Sequence, residues 1–245
     1  ARVSRLSEIA IDGFETFEWS QYFPFHHNLA VDVASGYFLY HTDSPLRRKG
    51  RMTAKQKARR LALETCLGRA HPRAVEIGVR DLLTGLIPRH CPVTLRSDDH
   101  AAYSRAIASL GGDITHRITS SKERRDERNP LWEINVLDMM IRHSTAAHKR
   151  ETIAWAKRRQ ASIEKLSIFQ VWRNYLKRRR EKGTCVTSAM LLGLANRPWH
   201  ARDLLAGRAF YEKTHLSDRW RDYYRRRIRT SALAVNRTHR LRYAF

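Results

Sequence analysis

The run Val93 to Tyr103, VTLRSDDHAAY, constrains this chain more than any other stretch. Val93, Leu95 and Ser97 alternate with Thr94, Arg96 and Asp98, the period of two that a pleated strand needs. The run stops on two aspartates and turns into a helical pattern, so Asp98 falls at the strand end and Asp99 is available to cap the helix. A Ser-Asp-Asp triplet also reads as an ordinary turn and cap. A helical stretch, Pro72 to Leu86, leads through Pro88 and Pro92 into this strand. Strand, helix, strand is a crossover, which makes the sheet parallel here.

Upstream, Glu8 to Glu18 alternates as a strand, with Ile9, Ile11 and Gly13 on one side and Ala10, Asp12 and Phe14 on the other. His27 to Val33 and Tyr37 to His41 follow, separated by a turn at Ser35-Gly36, and three such strands read as an antiparallel meander. A basic loop, Ser44 to Arg51, offers Arg47, Arg48, Lys49 and Arg51 to phosphates. The helix after it carries an apolar face of Ala58, Leu61, Ala62, Thr65 and Cys66.

Downstream, Ala101 to Leu110 reads as a helix ended by Gly111-Gly112, and Asp113 to Thr119 as a fifth strand. Pro130 opens a helix from about Leu131 to Arg142, with Ile134, Leu137 and Ile141 as its buried stripe. Asn135, Asp138 and Arg142 share one margin of that stripe. His148 to Arg159 reads as a further basic helix, followed by an amphipathic one with Ile168, Val171, Trp172 and Tyr175 on one face. Trp172, Tyr175 and Trp220 read as core residues, and the runs Arg178 to Arg180 and Arg225 to Arg227 as phosphate contacts without sequence information. Lone histidines such as His26, His27, His116 and His143 read first as structural. The pattern divides the chain into a core over residues 1–160 and a basic helical extension over 161–245.

The formal charge is +23, from 47 Lys and Arg against 24 Asp and Glu, with a pI near 10.8. A molecule so charged repels itself unless a polyanion is near, and nucleic acid is the first expectation. The basic residues are spread over several segments and no apolar run reaches 18 residues, which argues against an anionic membrane as the partner. The cysteines, Cys66, Cys91 and Cys185, are far apart and form no Cys-x-x-Cys pair. That spacing suits a reducing cytosol and neither a structural zinc nor a disulfide framework.

Three antiparallel strands, a crossover helix, a strand ending on an aspartate, another helix and strand, then an acid-bearing helix: this order resembles the ribonuclease H-like α/β fold, a mixed sheet flanked by helices. In that fold Asp12, Asp98 and one acid of the Leu131 to Arg142 helix converge. Three convergent carboxylates repel one another unless cations neutralise them, and hard oxygen ligands suit Mg²⁺ or Mn²⁺. The segments IAIDGFETF, AVDVASGYF, SDDHAAY and NPLWEINVLDMMIRHSTAAHKRETIAWAKRR resemble the catalytic region of bacterial insertion-sequence transposases of the DDE type. The resemblance covers roughly Ile9 to Lys177. It implies metal-dependent cleavage of DNA at transposon ends, strand transfer into target DNA, two divalent ions, at least a dimer during the reaction, and a bacterial cytoplasm. Asp12 and Asp98 carry over as metal ligands. Relatives commonly show Glu, then Asn three and Arg seven residues on; here Asn135, Asp138 and Arg142 stand in that register, so acid and amide are exchanged. Asp138 is the expected third ligand, with Glu133 and Glu151 as alternatives. Arg142, Lys149, Arg150, Lys157, Arg158, Arg178 and Arg179 join the basic loop as expected DNA contacts. Recognition of terminal repeats is expected to need residues upstream of Ala1.

Overall fold

A computed structural model describes residues 6–87, 91–149, 153–207 and 215–236. Five strands form one mixed sheet: β1 (Glu8–Phe17), β2 (Pro24–Asp32), β3 (Phe38–Pro45), β4 (Val93–Asp98) and β5 (Ile114–Thr119), in the order β3-β2-β1-β4-β5. β1, β2 and β3 pair antiparallel, and β4 lies parallel to both β1 and β5. This is the ribonuclease H-like arrangement that the order of elements predicts.

Alternation along β1 divides the core. Ile9 and Ile11 pack with Val79, Leu82 and Leu83 of α2 (Ala74–Leu86) and with Tyr103, Ala106 and Ile107 of α3 (Ala101–Ala108). Ala10 and Phe14 face the other way, onto Ile134, Leu137 and Ile141 of α4 (Trp132–Ser144) and Leu166 and Phe169 of α5 (Arg159–Val171). Glycines allow two close approaches. A methyl group on Gly78 of α2 would stand 2.2 Å from Ser44 Oγ, and one on Gly13 would stand 2.1 Å from the carbonyl oxygen of His27.

Several expectations need correction. Strand β2 begins at Pro24 and β3 runs on to Pro45, because their pairing continues to Phe25 and Pro45. α1 (Ala54–Leu67) buries no residue: its apolar stripe faces solvent, and Arg47 grips it through Glu64 with hydrogen bonds of 2.7 and 2.8 Å. His100, not Asp99, caps α3, accepting from the Ala102 N–H. A 3₁₀ turn occupies Ala146–His148, and the described residues between it and α5 are not helical. α5 turns Ile163, Leu166 and Phe169 inward and leaves Ile168 exposed, then passes into a π-helical turn, Trp172–Leu176. In that turn Asn174 behaves as a strand would, accepting from Phe38 N and donating to Phe38 O, both at 2.8 Å.

The C-terminal region adds α6 (Ser188–Leu191), α7 (Ala201–Ala206) and α8 (Asp218–Tyr224). Trp220 of α8 stacks on Tyr40 at 4.5 Å and Tyr175 stacks on Trp199 at 4.4 Å, while Trp172 packs on the α4 side of the core. Asp43, 1% exposed, accepts from Tyr223 Oη at 2.6 Å and has Arg159 and Arg219 at 3.0 and 3.6 Å. The C-terminal segment is thereby tied to the end of β3. His27, His41 and His148 are buried between sheet and α5; His27 and His148 share Ser162 Oγ at 2.8 and 3.0 Å, and His41 meets Ser167 at 3.2 Å. Burial pushes all three down, His41 to about 3 and His148 to about 4. Among the described residues no helix is long and apolar enough to cross a membrane.

Candidate active site

β4 stops at Asp98 while β1 runs on to Phe17, so the flank of β1 opens where β4 ends. The parallel register pairs Glu8 with Thr94 and Ala10 with Arg96. Continued by two residues, it sets Asp12 beside Asp98 on neighbouring strands, which lie about 4.8 Å apart in a sheet. Both side chains alternate onto the α4 side. There Arg142 lies over the Phe14 ring at 5.0 Å and holds both Asp138 oxygens through Nε at 3.0 Å.

Electrostatics join the three acids. Asp12 is pushed up to about 6, first by burial and then by the negative charges of Asp98 and Asp138; the Gly13 N–H, donating to Oδ1 at 2.7 Å, and Arg125 oppose the rise. Tyr103 Oη reaches the same oxygen at 3.5 Å. Asp98 accepts from the His100 N–H at 3.0 Å. Among the described residues no three His, Cys, Asp or Glu side chains stand together as a ready-made metal centre. The donor chemistry nonetheless fits a hard divalent cation, because burial and two like charges penalise Asp12's ionisation, and a cation would remove that penalty.

Glu133 stands elsewhere. It pairs with Arg179 at 2.5 Å and lies against Gly36 at the β2–β3 turn, across the sheet from Asp98. Arg150 and Glu151 lie outside the described residues. Of the expected DNA contacts, Arg47 and Arg179 are engaged by Glu64 and Glu133, and Arg48 lies over Tyr22 at 4.9 Å. Lys157 donates to Ile153 O at 2.9 Å and lies over Trp155. Lys49, Arg51, Lys149 and Arg178 are exposed, and Arg158 is half-buried. His116 bonds Ser97 Oγ at 2.9 Å on the inner side of β4, and His143 is exposed.

Sequence reasoning missed His100 and Arg125 as neighbours of the acids and ranked His26 first as structural. The His26 ring occupies the space that a Gly13 side chain would need and bonds Asn28 Oδ1 at 2.9 Å; burial lowers it to about 4, and the charges of Asp98, His100 and Arg142 reach it. A glycine in mid-strand next to an acid was the available signal, because such a glycine marks a close approach.

No family model and no curated protein matches this chain. Solved structures do. One is a chain of the simian T-cell lymphotropic virus intasome in complex with PP2A regulatory subunit B56 gamma, at 14% identity and a TM-score of 0.37, covering 86% of this chain and 60% of that one. The chain thus spans about 60% of that relative's length. Two others are the HTLV-2 integrase catalytic core domain in complex with magnesium. The dimeric form matches at 12% identity and TM-score 0.33, covering 76% and 96% of the two chains. The trimeric form matches at 13% and 0.32, covering 76% and 95%.

Proposed function

We propose that this chain is the catalytic part of a bacterial insertion-sequence transposase of the DDE type, cutting DNA at transposon ends and joining the freed 3′ hydroxyl to target DNA. One observation carries the reading: Asp12 and Asp98 fall in register on adjacent parallel strands, and the charge of Asp138 reaches Asp12 from α4. The fold and the +23 charge agree with it, since the substrate of such a site is a polyanion.

Asp12, Asp98 and Asp138 would hold Mg²⁺ or Mn²⁺. Two such ions, when bound, activate an attacking water or hydroxyl and stabilise the leaving oxygen of an in-line phosphoryl displacement. The chain's own residues prepare the place. Gly13 N–H and Tyr103 fix the Asp12 carboxylate, and Arg142 fixes Asp138. Exposed Lys49, Arg51, Lys149 and Arg178 supply sequence-independent phosphate contacts. Two DNA ends must be brought together, so the working form is at least a dimer, and its place is the bacterial nucleoid.

The test is cleavage and strand transfer of a labelled duplex carrying the element's end, in Mg²⁺ or Mn²⁺. Asp98→Asn and Asp138→Asn should each lower turnover by about 10²–10³, the range typical for loss of a single group that stabilises transition-state charge, and Glu133→Gln should retain it.

A second reading, a DNA-binding protein of the same fold without catalysis, draws on the commitment of both Asp138 oxygens to Arg142 and on the lack of a ready metal cluster among the described residues. Salt-dependent duplex binding with no cutting in either metal would favour it.

A further inference from the structure

The molecule has a basic concavity away from the carboxylates. It lies between the inner face of α1 and the β1–β2 hairpin, a cleft of about 220 Å³. Glu18, at its rim just past the end of β1, stands six positions from Asp12, roughly 20 Å of extended chain. Three distant parts of the chain build it: the hairpin with Glu18 and Tyr22, the loop and helix from Arg47 to Arg69, and Arg159 with Ser231.

Its lining holds five arginines, Arg47, Arg48, Arg60, Arg69 and Arg159, against two glutamates, Glu18 and Glu64. Arg47 takes both oxygens of Glu64 at 2.7 and 2.8 Å. Arg60 donates through Nη1 to Arg48 O at 3.1 Å, and its Nε, 3.4 Å from Glu64, makes no hydrogen bond. Arg48 lies over Tyr22, and its Nη1 has no partner. Three buried arginine nitrogens of this lining lack a hydrogen bond: Arg159 Nε still faces Asp43 Oδ2 at 3.0 Å and Arg60 Nε stands at the longer 3.4 Å from Glu64, while Arg48 Nη1 has neither kind of contact to a carboxylate. A buried donor without an acceptor is costly, about 1–3 kcal/mol and more for a charged group, so Arg48 Nη1, beside the loosely held Arg60, marks a place for an acceptor that the chain itself does not supply.

We propose that the end of this cleft lined by Arg48, Arg60 and Arg69 is a phosphate-binding site distinct from the acid site. Forked guanidinium donors match the oxygens of a phosphate, and a pinned arginine loses little freedom on binding one. The cleft is small, about 220 Å³, and its donors are guanidinium groups, which suits the oxygens of a phosphate. The unpaired Glu18 oxygen repels an anion from the opposite end, by Arg159, and so confines the phosphate. The phosphate belongs either to a nucleic-acid backbone or to a free phosphorylated anion; both present the same oxygens.

The test uses the full chain, with pyrophosphate titrated by calorimetry and a labelled non-specific duplex followed by fluorescence anisotropy. Arg48→Ala with Arg60→Ala empties the cleft, and Arg48→Lys with Arg60→Lys keeps the charge but removes the fork. Lys55→Ala with Arg59→Ala removes equal charge from the exposed side of α1, and thermal melts verify that each variant folds. The alanine pair in the cleft should weaken phosphate binding at least tenfold and the lysine pair several-fold, with the exposed pair changing it less than twofold. If pyrophosphate shows this pattern, a free anion is a ligand; if only the duplex does, the phosphate is the backbone's. Equal losses from cleft and exposed pairs, or no loss from either, would overturn the proposal. Binding is read here without cleavage, so an inactive acid site leaves the result interpretable.

Discussion

Asp12 is the residue on which site and stability meet. Its carboxyl keeps a proton to about pH 6 in the folded chain, against 3.8 for the free group. Between those values the folded state binds the more protons, so stability falls as pH rises through the window, by on the order of 3 kcal/mol in all. Asp12→Asn should therefore flatten that decline and raise the melting temperature above pH 6 in the absence of divalent metal. Mn²⁺ at a hundredfold excess over its dissociation constant should raise the wild-type melt by about 5–10 °C and leave the variant unmoved. A wild type indifferent to Mn²⁺ would count against the carboxylates as a metal site. Asp12 and Asp98 were legible because alternation fixes the face of the one and a strand end fixes the place of the other. The place of Glu133, away from the other acids, was not, since it turns on Arg179, 46 positions from Glu133. Nor was His26, whose place depends on pairing between β1 and β2.

Elements were legible where their apolar period continued unbroken, and misread where something external reset it. The stripe Ile134, Leu137, Ile141 of α4 is buried as its spacing requires. In α5 the buried stripe runs through Ile163, Leu166 and Phe169, so Ile168 turns to solvent, and the π turn that follows brings the polar Arg173 and Asn174 inward. α1 carries an apolar stripe too, but it is held by its charged edge, and a period in sequence cannot tell which side a helix offers to its neighbour. Close packing of α2 gives a sharp prediction. Gly78→Ala improves helix propensity by about 1 kcal/mol, yet its methyl would stand 2.2 Å from Ser44 Oγ and 2.6 Å from Asn28 Nδ2. The net effect should be a loss of about 1–3 kcal/mol, seen as a lower urea midpoint with an unchanged slope. A gain in stability would mean that α2 sits further from the sheet.

At the scale of the molecule, the buried Asp43 joins what the sequence pattern divides into core and extension. Tyr223 donates to its carboxylate and accepts from its N–H at 2.9 Å, while Arg219 also reaches Asp81. Tyr223→Phe leaves both Asp43 groups short of a partner and should cost about 1–3 kcal/mol. Tryptophan fluorescence and circular dichroism should then still report one coincident unfolding transition, because Trp220 and the sheet melt together. Separate transitions would show that residues 161–245 fold by themselves. The sequence held no local sign of this tie, since an aspartate at a strand end resembles any turn residue until its partner arrives. The same topology sets an order of events during synthesis. Asp12 and Tyr103 are 91 positions apart, and Asp138 follows later still. At a ribosomal pace of about 5–20 residues per second, the β1–β2–β3 meander emerges and pairs seconds before β4 can join it. Until α4 has also left the ribosome the three acids cannot stand together, so under the proposed function a nascent or truncated chain would be sticky towards nucleic acid while remaining chemically harmless to it.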